Sequence, residues 1–247
     1  MLLRKDKGAV AVTAYWSYGG GVNSTAGIIL TLTDDRFADL RPGLRIVHAD
    51  TGAEMPQTIC YVRYFDEWLR ERYGMEIETV SAGSLIEYCR RVRVVPSRVY
   101  RWCTRIFKVE PIEAWRAAAG IEGSLIGFDA GEAHRAERRR QFYVHEKFRR
   151  YPLIEAGIDR QGCVQIIRAA GLELPSKSGC FICPFGNKAR FEDLRTYHPE
   201  LFELACELER NAEHFGRSWY LKDKPLDEWI NSPGLDFGEP CAVCELE

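Results

Sequence analysis

The chain has 247 residues, 46% of them hydrophobic, and its 34 lysines and arginines against 36 aspartates and glutamates leave a net charge of −2. That length suits one sizeable α/β domain with a small appendage, the charge balance excludes a general polyanion-coating protein, so that nucleic-acid contact has to come from a local basic patch, and no apolar run approaches the roughly 18 residues of a membrane span. Met1 to Lys7 carries charges and no long apolar segment with a small-residue cleavage site, so no signal peptide is expected; in the reducing cytoplasm expected as its compartment, the nine cysteines read as buried thiols, metal ligands or catalytic groups.

Ala9 to Tyr15 alternates small and β-branched residues as a buried strand would, and Thr25 to Thr33 reads as a helix. Between them lies Ser17-Tyr18-Gly19-Gly20-Gly21-Val22-Asn23-Ser24-Thr25. Three consecutive glycines let the backbone turn sharply and present N–H groups to an anion, and the hydroxyls of Ser24 and Thr25 add donors at the helix's positive end. An ordinary glycine-rich connection reads the same stretch without a ligand. Leu44 to His48 is a second strand, ended by Ala49-Asp50-Thr51-Gly52, and polar residues at a strand's carboxyl end are where open parallel sheets bind ligands. Pro56 to Arg72 has helical spacing, with Ile59, Val62, Phe65, Trp68 and Leu69 on its apolar face, and Ile77 to Val80 is a third strand. This alternation predicts a parallel, doubly wound sheet.

From Arg90 to Lys108 the chain changes character. Arg90, Arg91, Arg93, Arg98, Arg101, Arg105 and Lys108 are interleaved with Tyr100, Trp102 and Phe107, the strongest local positive field in the sequence. It suits ATP phosphates, a nucleic-acid backbone or both, and a solvated helix face is the plainer reading. Gly123 to Phe128 follows as a fourth strand, with Asp129 to Arg135 polar at its carboxyl end. Arg135, Arg138, Arg139, Arg140, Lys147, Arg149 and Arg150 extend the basic character around the apolar piece Phe142 to Val144. Tyr151 to Ile154 is expected to begin the last core element, and Val164 to Ala170 a helix stopped at Gly171. From Leu174 the composition shifts to turns, cysteines and a helical hairpin around Phe191 to Phe215, so the expected division is 1–172 and a small cysteine-containing helical part, 173–247.

Taken together, these motifs resemble the phosphoadenosine phosphosulfate reductase-like branch of the PP-loop ATP pyrophosphatases. Gly19 to Ser24 falls where that family has a Ser-Gly-Gly-x-Asp-Ser loop, and Asp50-Thr51-Gly52-Ala53-Glu54 is similar to its second-strand motif. Arg101-Trp102-Cys103-Thr104 with Lys108 and Pro111, then Ile126-Gly127 with Glu132 and Arg135, resemble two further segments. Lys177 to Phe185 matches a Cys-x-x-Cys-Pro segment common in members of this branch. The resemblance implies a doubly wound, mostly parallel five-stranded sheet of the adenine nucleotide alpha-hydrolase-like kind, with ATP and Mg²⁺ over the carboxyl ends of the strands. Ser17, Gly19, Gly20, Gly21, Asn23, Ser24 and Thr25 would hold phosphates, with Asp50, Thr51 and Gly127 near the nucleotide; Lys108 and Arg135 would neutralise charge as the α–β phosphate bond breaks. Gly19 and Asn23 depart from the family's loop serine and aspartate. An anion cradle survives both changes because it rests on backbone N–H groups, whereas the loss of a carboxylate shifts any metal assistance to Asp50 or Glu54.

Cys180 and Cys183 are two residues apart, as are Cys241 and Cys244, a spacing that lets paired thiolates converge on a metal. Four thiolates would close a structural Zn²⁺ site. Alternatively Cys103 joins Cys180 and Cys183, with or without a tail cysteine, around a [4Fe–4S] cluster; the resemblance to thiolating relatives implies three cysteines and one open iron. A further reading makes Cys103 a persulfide carrier, activated because nearby cations lower its pKa. Cys60, Cys89, Cys163 and Cys206 show no paired spacing, the five histidines are scattered, and Glu132 reads either as a site residue or as a helix N-terminal acid.

The function these observations favour is an ATP pyrophosphatase that adenylates an oxygen for displacement by sulfur, on a nucleic acid or nucleotide, with DNA phosphorothioation as one case. Arg98, Arg101, Arg105, Arg138 and Arg139 would guide a DNA or RNA phosphate backbone, a cysteine desulfurase or other sulfur donor is the expected partner, and no membrane is involved. A sulfonucleotide reductase is the alternative, and a metal-stabilised nucleic-acid-binding module with a degenerate nucleotide site is a third.

Overall fold

The computed structural model describes residues 13–139, 146–214, 217–218 and 220–232. Within them β1 (Ala14–Ser17), β2 (Leu44–Asp50), β3 (Ile77–Ser81), β4 (Gly123–Leu125) and β5 (Phe148–Arg150) form one sheet in the order β3-β2-β1-β4-β5. Every pairing is parallel. All four residues of the central β1 are buried, as in a strand covered on both faces; of the expected run Ala9 to Tyr15, residues 9–12 lie outside the described residues, and the strand runs on to Ser17. Tyr18 N–H donates to the Val47 carbonyl at 2.7 Å, carrying the β1–β2 pairing one residue into the glycine turn.

Helices cover both faces. After β1 comes α1 (Val22–Thr33), after β2 α2 (Pro56–Tyr73) and after β3 α3 (Leu85–Val92). The chain then passes through α4 (Trp102–Thr104), α5 (Glu110–Ala118), α6 (Ala133–Arg139), α7 (Pro152–Glu155) and α8 (Arg160–Ala169). Every α1 residue from Val22 to Leu32 is buried. Gly27 makes this possible, because a Cβ there would lie 2.4 Å from the Trp16 ring.

Several boundaries differ from the sequence reading. Helix α1 starts at Val22, not Thr25, because extended Gly21 (φ −100°, ψ 169°) is its N-cap. The fourth strand stops at Leu125, and residues 126–129 form its exit. The last strand is β5, while Tyr151 to Ile154 enters the short helix α7, with Pro152 supplying helical φ in its first turn. Helix α8 begins four residues before Val164, where the Asp159 carboxylate accepts the Gly162 N–H at 2.8 Å. The piece Phe142 to Val144 lies outside the described residues.

Beyond residue 172 the chain forms α9 (Lys188–Tyr197), α10 (Pro199–Asn211) and α11 (Leu226–Asn231). Their apolar faces share one cluster with Ala53 and Met55 from the exit of β2, Leu85 and Ile86 of α3, and Phe107. The cysteine-bearing segment is therefore packed on the loops at the carboxyl end of the sheet. Among the described residues no helix is long and apolar enough to cross a membrane.

Candidate functional site

The carboxyl end of β1 meets α1 through Tyr18-Gly19-Gly20-Gly21. Gly20 has φ +73°, and a Cβ on it would lie 3.1 Å from methyls of both Thr58 and Val62, so the turn passes tight against α2 in a conformation that favours glycine. Helix α1 begins with no side-chain cap and no acidic residue in its own first turn, so nothing within the helix itself offsets its positive end. The Ser24 and Thr25 hydroxyls donate back to the Gly21 carbonyl at 3.2 and 2.8 Å, and Thr25 Oγ1 also lies 3.2 Å from the Tyr18 hydroxyl. Both hydroxyls thus brace the turn in this structure, and its capacity for an anion rests on main-chain N–H groups. Ser17 and Asn23 are buried on either side of the turn.

Beside it, β2 ends at Asp50, whose carboxylate accepts the Gly52 N–H at 2.8 Å. Thr51 and Glu54 are buried. Glu54 accepts the Thr51 N–H at 3.2 Å and the Thr51 hydroxyl at 2.7 Å. Glu54 also forms an antiparallel bridge with Cys180: Met55 N–H donates to the Gly179 carbonyl and Phe181 N–H to the Ala53 carbonyl, each at 2.9 Å. Arg190 holds the same segment through the carbonyls of Ser178 and Cys180. Thr51 Oγ1 consequently sits 3.5 Å from Cys180 Sγ, and a turn closed by Cys183 N–H on the Cys180 carbonyl brings the second thiol round. Cys103, Cys180 and Cys183 line one cleft with Thr51, Arg101 and Lys108, enclosing about 490 Å³ when its open mouth is counted.

Cys103 and Lys108 reach that cleft from an irregular helix. Between α4 and α5 the chain makes a π-helical turn, Arg105–Val109, in which Glu110 N–H bonds to the Arg105 carbonyl. Pro111 has no N–H for the Phe107 carbonyl, so the regular ladder cannot run through this point, and single π turns recur at functional sites. Burial pushes the Cys103 thiol above its ordinary range, outweighing the opposing hydrogen bonds of Thr104 and the charges of Lys108 and Arg101. The nearby cations therefore act on Cys103 in the expected direction, and burial outweighs them. Burial, with Glu54 nearby, pushes Cys180 up to about 11. Among the described residues no three or more His, Cys, Asp or Glu side chains are gathered as a metal site. Cys241 and Cys244 lie outside the described residues, so the four-thiolate sets that include them have no geometry here. The donor chemistry of the cleft, three thiols beside two cations with no lining carboxylate, suits a thiolate-bound iron–sulfur cluster or Zn²⁺ better than an oxygen-ligated ion.

On the other side of the turn, Asn23 is the centre of a polar network. Its Nδ2 donates to Asp129 Oδ2 and Glu132 Oε2, both at 3.1 Å, and its Oδ1 accepts from Arg160 Nη1 at 2.7 Å. Asp129 and Glu132 cap the short helical turn Ala130–Glu132 reciprocally. Glu132 also accepts from Arg135, whose guanidinium carbon lies 4.3 Å from the Phe128 ring centre. Arg135 Nη2 is buried with no hydrogen-bond partner among the described residues, the condition of a guanidinium prepared for an anion. Gly127 is buried two residues before Asp129. Asp129 and Arg160 are absent from the sequence-based site. The Asp-x-x-Glu spacing is a readable signal for the first, whereas Arg160 carries none, its partner lying 137 residues away.

The basic stretches are less free than their composition implies. Arg105 pairs with Glu110 at 2.5 Å, Arg90 with Glu207 at 3.3 Å, Arg149 with Glu146 at 2.8 Å and Arg150 with Glu155 at 2.6 Å. Arg98 donates to the Pro184 carbonyl at 3.2 Å, and Arg98 and Arg101 both lie over the Phe185 ring at the cleft's rim. Arg138 and Arg139 end α6, away in sequence from this rim.

An all-parallel sheet with a glycine turn at the end of its central strand, and polar groups gathered at the carboxyl ends, places the chain in the class of open, doubly wound α/β proteins. Residues 13–155 match the phosphoadenosine phosphosulfate reductase domain, and the chain belongs to that family. Two proteins of Methanocaldococcus jannaschii, the uncharacterized MJ0973 and MJ0066, are each 24% identical to it, over 75% and 83% of this chain. The chain spans only 45% and 44% of their lengths. Among solved structures, the phosphoadenylyl-sulfate reductase of Candida auris in a phosphate complex is 14% identical, with TM-score 0.45, over 66% of this chain and 75% of that one. The U34-tRNA thiolase NcsA of Methanococcus maripaludis, with its [4Fe-4S] cluster, is 16% identical, with TM-score 0.49, over 83% of this chain and 74% of that one.

Proposed function

We propose that the chain is an ATP-dependent sulfur-transfer enzyme acting on a nucleic acid or nucleotide, with the phosphate backbone of DNA as one acceptor and a cysteine desulfurase or other sulfur donor as partner. The observation that carries this reading is the main-chain bridge between Glu54 and Cys180, which joins a thiol-lined cleft to the loop beside the glycine turn. ATP with Mg²⁺ would lie over the turn. An acceptor oxygen attacks the α-phosphate, the α–β bond breaks and pyrophosphate leaves; sulfur at the sulfide level then displaces AMP. Main-chain N–H groups at Gly20 and Gly21 and the start of α1 hold the phosphates. Lys108 and Arg135 offset the charge that develops as pyrophosphate departs, and Arg135 brings a buried guanidinium nitrogen without a partner among the described residues. Cys103, Cys180 and Cys183 would hold a [4Fe–4S] cluster, with Zn²⁺ the alternative. Such a cluster supplies an iron able to carry sulfide.

Two measurements on anaerobically purified protein test the reading: iron and acid-labile sulfide content, and pyrophosphate release from ATP with sulfide and an oligonucleotide. Lys108→Ala is expected to lower release by about 10²–10³-fold, and Cys180→Ser to lose iron and sulfur incorporation while still binding ATP. Wild-type protein that binds ATP yet releases no pyrophosphate with any acceptor would overturn it. Membership of the reductase-domain family favours a second reading, sulfonucleotide reduction. Sulfite release from adenosine phosphosulfate with thioredoxin would select it.

A further inference from the structure

Asn23 stands where the family resemblance expects an aspartate, and the surroundings give a physical reason for the amide. One end of its side chain faces two carboxylates, Asp129 and Glu132, and the other faces the guanidinium of Arg160. Only an amide offers donors to the first and an acceptor to the second. A carboxylate at this position would place three acids together beside a site meant for phosphate.

We propose that Arg160 is a positioning residue for the nucleotide site, acting through Asn23 and not by touching the nucleotide. This rests on the reading of the glycine turn as that site. Arg160 is the first residue of α8, and its Nη1 lies 2.7 Å from the Asn23 carbonyl oxygen. Asn23, the second residue of α1, is 4% exposed, so without Arg160 its oxygen would be buried and unsatisfied, and the side chain would rotate to find water. That rotation withdraws Nδ2 from Asp129 and Glu132. Glu132 is also the partner of Arg135, so a connected path of hydrogen bonds runs from Arg160 through Asn23 and Glu132 to the Arg135 guanidinium. Each carboxylate then loses one donor, Glu132 keeping Arg135, and the less satisfied negative charge at the positive end of α1 competes with phosphate for the same field.

The test is a double-mutant cycle read by calorimetric titration with ATP and Mg²⁺. Arg160→Met is expected to weaken ATP binding about tenfold, Asn23→Ala at least as much, and the double variant no more than Asn23→Ala alone; Arg160→Lys recovers part of the loss. Losses that multiply in the double variant would show that Arg160 meets the nucleotide directly and overturn the inference. A lower melting temperature and fewer binding sites per chain, with unchanged affinity in the folded fraction, would reduce Arg160 to a structural residue and overturn it equally. Wild-type protein that binds no ATP overturns the nucleotide reading and this inference together, whereas normal wild-type binding with multiplied losses overturns this inference alone.

Discussion

Glu209 offers the sharpest test of how the helical segment is held over the cleft. This residue of α10 is 2% exposed, and its carboxylate accepts the main-chain N–H groups of Leu221 and Leu226, each at 2.7 Å. The stretch so pinned carries Lys222, whose ammonium donates to the Pro184 carbonyl at 2.8 Å and to that of Gly186, just past Cys183. Burial pushes the Glu209 pKa from its ordinary 4.5 up to about 7, against the pull of the two N–H donors. A pKa raised by folding means that the contribution of this group to stability is fully present below about pH 4.5, falls as pH rises to about 7 and is constant above. At about 1.4 kcal/mol per pKa unit, the folded state loses about 2–3 kcal/mol from this residue between pH 5 and 8. Glu209→Gln keeps an acceptor and removes the titration. Urea unfolding of wild type and variant across that range should show their stability difference shifting by this amount, in the direction that makes wild type relatively weaker at high pH. Parallel pH profiles for the two proteins would refute the reasoning.

Gly27→Ala would place a methyl 2.4 Å from the Trp16 ring; overpacking of this kind costs about 1–3 kcal/mol, so a melting temperature several degrees lower is expected, partly restored by Trp16→Phe. An unchanged transition would mean that Trp16 is not locked against α1. In metal-free protein treated with iodoacetamide near pH 7.5, exposed Cys60 should be alkylated first, while Cys180, raised to about 11, and Cys89 and Cys163, each raised to about 12, resist. Mass-spectrometric mapping that finds Cys103 labelled faster than Cys60 would show cations outweighing burial at that thiol.

The sheet's centre was legible because each element carries its own signal. The apolar run of β2, the helical spacing of α2 and the glycines between β1 and α1 are all local. Strand β5 was not, because Phe148-Arg149-Arg150 has no apolar run and becomes a strand only by pairing with β4. Nor was the π turn before α5, which follows from the missing N–H of Pro111 within an otherwise continuous helix. At the site, residue types were readable but partners were not. Asn23 meets Asp129 and Arg160 across 106 and 137 positions, and Thr51 meets Cys180 across 129. The partners of the arginine stretches were hidden for the same reason, since neither the rim at Phe185 nor the link from Arg90 to Glu207 is visible from composition.

The way the cysteine segment is attached decides what its variants will report. Cys180 is placed opposite Glu54 by the N–H groups of Met55 and Phe181 and the carbonyls of Ala53 and Gly179, none of which belongs to a cysteine side chain. Arg190 reinforces the same segment through main-chain oxygens of Ser178 and Cys180. Removing a thiol therefore leaves the staple whole, whereas a thiol in a side-chain-built site would take part of its own support with it. Serine at position 180 also retains a hydroxyl for Thr51. A Cys180→Ser protein that folds as wild type and binds ATP as tightly, yet transfers no sulfur, would separate the chemistry of the cleft from that of the glycine turn, and the backbone geometry is what makes that separation attainable.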